Sequence, residues 1–75
     1  MTDRELEKVL FTLSQNIRKR RKALGLSQLQ LAYKCKINKN YISGIEQGKK
    51  NITLGMLLRI KKGLDCELTD LFKEE

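Results

Sequence analysis

The chain is 75 residues long, 40% hydrophobic and 33% charged, a balance that fits one small folded domain and not a disordered tail. It has no histidine, no tryptophan and no apolar run of about 18 residues, which argues against histidine-based catalysis, interfacial aromatic anchoring and a membrane-spanning helix. The net charge of +7 is concentrated, because Arg18 to Lys50 holds ten Lys or Arg against the single acid Glu46, a formal +9, while each flank sums to −1.

The first residues, Met1-Thr2-Asp3-Arg4-Glu5, are charged and lead into no apolar stretch. No secretory signal is expected, and the expected location is intracellular, in the cytoplasm. Leu6, Val9, Leu10, Leu13 and Ile17, continuing to Arg21 and Leu24, recur with helical spacing and predict a long amphipathic first helix. Thr2 or Asp3 can cap it, with Asp3, Glu5 and Glu7 at its positive end and Arg18 to Lys22 at its negative end. That basic cluster fits either a solvated helix end or part of a polyanion footprint, and Arg21 also fits an ion pair. Gly25 supplies the left-handed residue that ends the helix.

Ser27 predicts the cap of a short second helix over Gln28–Lys34. A turn through Cys35, Lys36 and Ile37 leads to a third helix, capped by Asn38, running to about Gln47 and ended by Gly48. Thr53 predicts the cap of a fourth over Leu54–Lys62, with Leu54, Leu57, Leu58 and Leu64 inward and Gly63 as its stop. A last helical piece over about Glu67–Lys73 places Leu68, Leu71 and Phe72 on one side. Nothing alternates with period two for long enough to predict a strand. The expected fold is all-α, a compact five-helix domain over residues 1–75 with a helix-turn-helix at about 28–47.

Cys35 and Cys66 are far apart, lack a histidine partner and fall at apolar positions of their local patterns. Neither a zinc site nor a disulfide is expected, and no cofactor is implied. A chain this short buries only roughly 60% of its unfolded surface, so dimerisation is an expected source of added stability.

Within Gln28–Gln47, the residues Leu31, Cys35, Ile37, Ile42 and Ile45 stand where two steeply crossing helices need apolar contacts, and Ala32 where they nearly touch. The outward positions of the third helix are then Lys39, Asn40, Ser43 and Gln47, with Tyr41 beside them. A helix entering a DNA major groove needs such donors and acceptors near its N-terminal end. The basic stretch surrounding it supplies the counterion-displacing charge that a phosphate backbone attracts.

The run L-S-Q-L-Q-L-A at 26–32, the run N-Y-I-S-G-I-E-Q-G-K at 40–49 and I-R-x-x-R-x-x-x-G at Ile17, Arg18, Arg21 and Gly25 resemble the lambda-repressor-like, or Cro/Xre-type, helix-turn-helix family. The resemblance covers roughly Ile17 to Phe72. The stretch Y-I-S-G-I-E, with the basic loop and Asn51 behind it, is similar to the small controller proteins of restriction–modification systems.

The resemblance implies roles. Lys39, Asn40 and Ser43 would read bases, with Lys39 donating to guanine. Gln28 would hold a phosphate and steady the third helix. Tyr41 would reach the DNA backbone or groove wall, its ring also able to pack on the core edge, and Lys49, Lys50 and Asn51 would bind phosphate. Arg21 and Glu46 would form an internal ion pair. Leu64, Leu68, Leu71 and Phe72 are core by default and candidates for a dimer surface. The sequence departs from the pattern at Lys36, where many units carry glycine, and a non-glycine residue in a left-handed backbone costs roughly 1 kcal/mol.

The function implied is a sequence-specific transcription regulator, binding double-stranded DNA as a symmetric homodimer and controlling its own operon and a restriction endonuclease. Activation would come through RNA polymerase at low occupancy, and repression at high occupancy. No small-molecule effector is expected of so short a chain. A phage-type repressor and an autorepressing antitoxin share these features. The absence of a nucleophile with a nearby base opposes an enzyme. Tyr33 and Tyr41 are too few for the stacking platform of an RNA reader, and a basic nucleic-acid-binding protein without sequence preference stands as the remote alternative.

Overall fold

A computed structural model describes residues 3–74, and all its regular structure is helical: α1 (Asp3–Ala23), α2 (Gln28–Cys35), α3 (Lys39–Glu46), α4 (Leu54–Gly63) and α5 (Leu68–Phe72). The starts of the middle helices follow side-chain chemistry. Ser27 Oγ accepts from the Gln30 N–H at 3.0 Å while the Ser27 N–H donates to Gln30 Oε1 at 2.8 Å, a reciprocal capping box. Asn38 Oδ1 accepts from Asn40 N–H at 2.7 Å, and Thr53 Oγ1 from Met56 N–H at 3.2 Å. The expected cap at Thr2 lies outside the described residues.

The ends follow one rule. Gly25, Lys36, Gly48 and Asp65 have φ of 72°, 57°, 73° and 54°, and each closes the helix before it in the left-handed conformation. The N–H groups of Leu26, Ile37, Lys49 and Cys66 reach back to the carbonyls of Arg21, Ala32, Gly44 and Lys61 at 3.0–3.1 Å. After three of these turns an apolar residue (Leu26, Ile37 or Cys66) folds back against the core. After α3 the equivalent residue is Lys49, and it is exposed. The chain there leaves the core for the surface.

The core joins Leu13 and Ile17 of α1, Leu31, Ala32 and Cys35 of α2, Ile42 and Ile45 of α3, and Leu57 and Ile60 of α4, with Ile37, Leu64 and Leu71 from their flanks. Its Leu and Ile side chains each gain roughly 1.5–3 kcal/mol on full burial. Helix α1 packs on α3 and α5, α2 on α3 and α4, and α4 on α5. Two polar residues of α1 grip its neighbours by their carbonyls. Asn16 Nδ2 donates to the Leu71 and Lys73 carbonyls at 2.8 Å each, and Arg20 donates to those of Leu64 at 3.1 Å and Asp65 at 2.9 Å.

Several expectations need correction. Leu54 and Leu58 are 68% and 43% exposed, and Ile60 takes the inward position instead. The stripe of α1 is core only from Leu13 on, because Val9 is 40% exposed and Leu6 and Leu10 are half-buried where the helix extends past its neighbours. Leu64 and Leu71, offered as dimer-surface candidates, are 0% and 1% exposed within the subunit itself, so only Leu68 and Phe72 of that group reach the surface.

Gly63 does not stop α4. It is helical, and Asp65 makes the left-handed turn. Its lack of a side chain serves close packing instead, since a Cβ there would collide with Cys35 Sγ. Gly63→Ala is therefore expected to destabilise the fold by about 1–3 kcal/mol through overpacking. Urea unfolding monitored by circular dichroism measures this, and an unchanged midpoint would show that α2 and α4 separate freely.

Candidate nucleic-acid interface

Helix α3 buries Ile42, Ile45 and Glu46 and packs Tyr41 against the core edge, leaving its other residues toward the surface. Lys39, Asn40 and Gln47 are exposed and Ser43 is half-exposed, so the three residues expected to meet bases share the outer face near the N-terminal end. Gln47 Nε2 donates to Ser43 Oγ at 3.2 Å, one turn apart on that face. This bond was not foreseen, and it leaves the serine hydroxyl hydrogen free to point outward.

Glu46 decides how α3 sits. Its carboxylate takes two bonds from the Arg21 guanidinium, Nε to Oε2 at 2.6 Å and Nη2 to Oε1 at 2.9 Å. Gln28 Nε2 adds a third to Oε1 at 3.2 Å, and Arg21 Nη1 donates to the Leu26 carbonyl at 2.7 Å. The two charged side chains are only 10% and 3% exposed. The hydrogen bond to Glu46 raises the Arg21 pKa above its already high ordinary value, so the guanidinium stays charged. One carboxylate thus ties α3 to the end of α1 and the start of α2.

Gln28 bonds to α3 itself, in keeping with the steadying role expected of it. Its amide holds Glu46, and so braces α3 from within; the second amide hydrogen is left for an outside acceptor. The expected Arg18–Lys22 cluster divides by the helix wheel. Arg20 and Arg21 are structural, whereas Arg18 and Lys22 are exposed.

Beyond α3, Gly48 reverses the chain, and Lys49, Lys50 and Asn51 follow exposed. Tyr41 is half-buried with its ring against the core, and Lys50 Nζ lies 5.6 Å from the ring centroid. Nothing in the periodicity indicated that contact, because Lys50 reads as an ordinary loop cation. The left-handed Lys36 sits exposed just before α3, its carbonyl accepting from Arg59 Nη1 at 3.4 Å.

These positions gather cations around α3. Lys36, Lys39, Lys49 and Lys50 flank or occupy the outer side of α3, while the one acid of residues 18–50, Glu46, is buried and neutralised. The start of α3 adds the positive end of its dipole. The surface is therefore suited to an extended polyanion, and its polar side chains to hydrogen-bonding base edges.

Comparison with known proteins identifies the family. A helix-turn-helix family profile matches residues 17–71. The control protein C.BamHI of Bacillus amyloliquefaciens is 38% identical over 47 residues, which is 63% of this chain and 58% of that protein; the match thus spans less than two thirds of that relative's length. The controller protein C.AhdI from Aeromonas hydrophila superposes with a TM-score of 0.81 at 36% identity, over 84% of this chain and 96% of that one. The controller protein C.Esp1396I, solved as a tetramer with its natural 35 base-pair operator, gives a TM-score of 0.76 at 34% identity, over 87% and 96% of the two chains.

Because Glu46 holds three elements, its removal strands a buried guanidinium. Glu46→Ala is expected to cost about 3–5 kcal/mol of stability. Arg21→Met combined with Glu46→Leu is expected to cost much less than Glu46→Ala, since no buried charge is left over. Chemical denaturation of both variants is the check; equal losses would assign the effect to packing.

Proposed function

The chain belongs to the helix-turn-helix family, in the group of restriction–modification controller proteins, and from that premise we propose that it is a DNA-binding transcription regulator acting on an operator of its own restriction–modification genes. The observation that carries this reading is the outer face of α3, where Lys39, Asn40 and Ser43 stand together inside a rim of lysines with no exposed acid among residues 18–50. Lys39, Asn40 and Ser43 read bases. Gln28, Tyr41, Lys49, Lys50 and Asn51 set the backbone contacts, Gln28 through its remaining amide hydrogen.

The regulator is a homodimer in this reading, each subunit placing α3 in a major groove at half-sites about one helical turn, roughly 34 Å, apart. Exposed Leu54, Leu58 and Phe72, with half-buried Met56 and Leu68, are the apolar residues of α4 and α5 available for pairing. The operator-bound tetramer of C.Esp1396I supports a second dimer at high occupancy. Activation through RNA polymerase at low occupancy and repression when both sites fill complete the proposal, together with a cytoplasmic location. Among the described residues no helix is long and apolar enough to cross a membrane. The matched relatives are control proteins rather than enzymes, and their names favour a controller over a phage repressor or an antitoxin.

Selection of bound sites from a random duplex pool tests the reading, which requires an enriched inverted repeat. Recovery of unrelated sequences would leave only a general polyanion binder. With the operator in hand, Lys39→Ala is expected to relax preference at one position and lose about 1–3 kcal/mol for the preferred base. A uniform loss over all sequences would move Lys39 to the phosphate contacts. Lys50→Ala is expected to reduce the slope of log affinity against log salt by about one per subunit while keeping the preferred sequence. An unchanged slope would remove Lys50 from the contact set.

A further inference from the structure

Gly44 stands in the middle of α3 on its half-exposed side, where most residues would make a better helix than glycine. Its backbone does not require glycine, because the positive-φ glycines of this chain are Gly25 and Gly48. What occupies its open side is Lys50. A Cβ built on Gly44 would stand 2.8 Å from Lys50 Cγ, 2.9 Å from Cε and 3.4 Å from Cδ, so the lysine stem lies across the bare Cα. The Lys50 ammonium then sits 5.6 Å from the centre of the Tyr41 ring, within the reach of about 6 Å for a cation–π contact. The turn at Gly48, closed by the Lys49 N–H on the Gly44 carbonyl at 3.1 Å, brings Lys50 back alongside the helix.

We propose that Gly44 is a positioning residue: its missing side chain forms a notch that seats the Lys50 stem, and the notch and the Tyr41 ring together fix the Lys50 ammonium at the edge of the face that meets DNA. This rests on the reading of α3 as the DNA-contacting helix. A lysine on a free loop surrenders much of its rotamer freedom on binding, whereas a seated one has already done so. The seat therefore raises affinity without adding a contact.

Two measurements test this. In free wild-type protein, nuclear Overhauser contacts are expected from the Lys50 methylenes to the Gly44 Hα and the Tyr41 ring; in Gly44→Ala the Lys50–Tyr41 contacts are expected to disappear. Gly44→Ala is also expected to bind the selected operator duplex several-fold more weakly than wild type. In a Lys50→Ala background the same substitution is expected to change affinity little. Thermal melting separates this from a folding defect, because alanine favours the helix and the midpoint is expected to hold or rise.

The proposal is overturned by absent Lys50 contacts in the wild type, by their survival in Gly44→Ala, or by unchanged operator affinity in that variant. A loss of equal size with and without Lys50 overturns it too, since the duplex itself would then need the glycine. A wild-type protein that retains neither the operator nor a random duplex would instead refute DNA binding, and the Overhauser arm would still report on the seat.

Discussion

Three segments of this chain converge on one carboxylate. Glu46 belongs to α3, Arg21 to α1 and Gln28 to α2, and no two of them are neighbours in sequence. Placing an ionised pair where almost no water reaches it is unfavourable unless its hydrogen-bonding capacity is met. Here the guanidinium gives two bonds to the carboxylate and one to the Leu26 carbonyl, and the Gln28 amide completes the set. Apolar packing alone would allow α3 to rotate or slide with modest loss. The fork geometry of the ion pair does not, and it therefore sets the angle at which the outer face of α3 is presented.

Around that point the fold uses short pieces and firm ends. Helices of eight residues are poor formers in isolation, and their persistence here comes from caps at one end, left-handed turns at the other and an apolar face between. Apolar residues folding back after α1, α2 and α4 seal the core at three corners. The corner after α3 remains open, and the lysines that follow it stay on the surface beside the helix. Core building and charge placement are thus divided between different ends of the same repeated turn.

Much of this was legible in the residues. Ser27, Asn38 and Thr53 are strong cap formers placed before apolar periodicity, and each caps as expected; Gly25 and Gly48 turn the chain as glycine allows. The outward face of α3 followed from the inward demands of Ile42 and Ile45. Helix α4 was harder, because Leu54, Leu57, Leu58 and Ile60 offer two overlapping stripes and only the packing of α2 and α5 selects between them. Gly63 resembled a helix stop because its packing role depends on Cys35, distant in sequence. The steadying role of Gln28 followed from the family resemblance, but its partner Glu46, 18 residues away, did not. The arrangement of Lys50, Tyr41 and Gly44 left no trace in periodicity, since it joins a loop residue to a helix face through the geometry of one turn.

The adjacency of Arg20 and Arg21 has a mechanical consequence. One grips the carbonyls that close α4, the other grips the carboxylate of α3, and a single peptide bond separates them. A tilt of α3 would therefore pull on the same turn of α1 that holds the end of α4. If two copies pair through α4 and α5, these bonds would help to set the distance between their α3 helices. Sites with a different spacer would then have to be met by bending or twisting of the duplex.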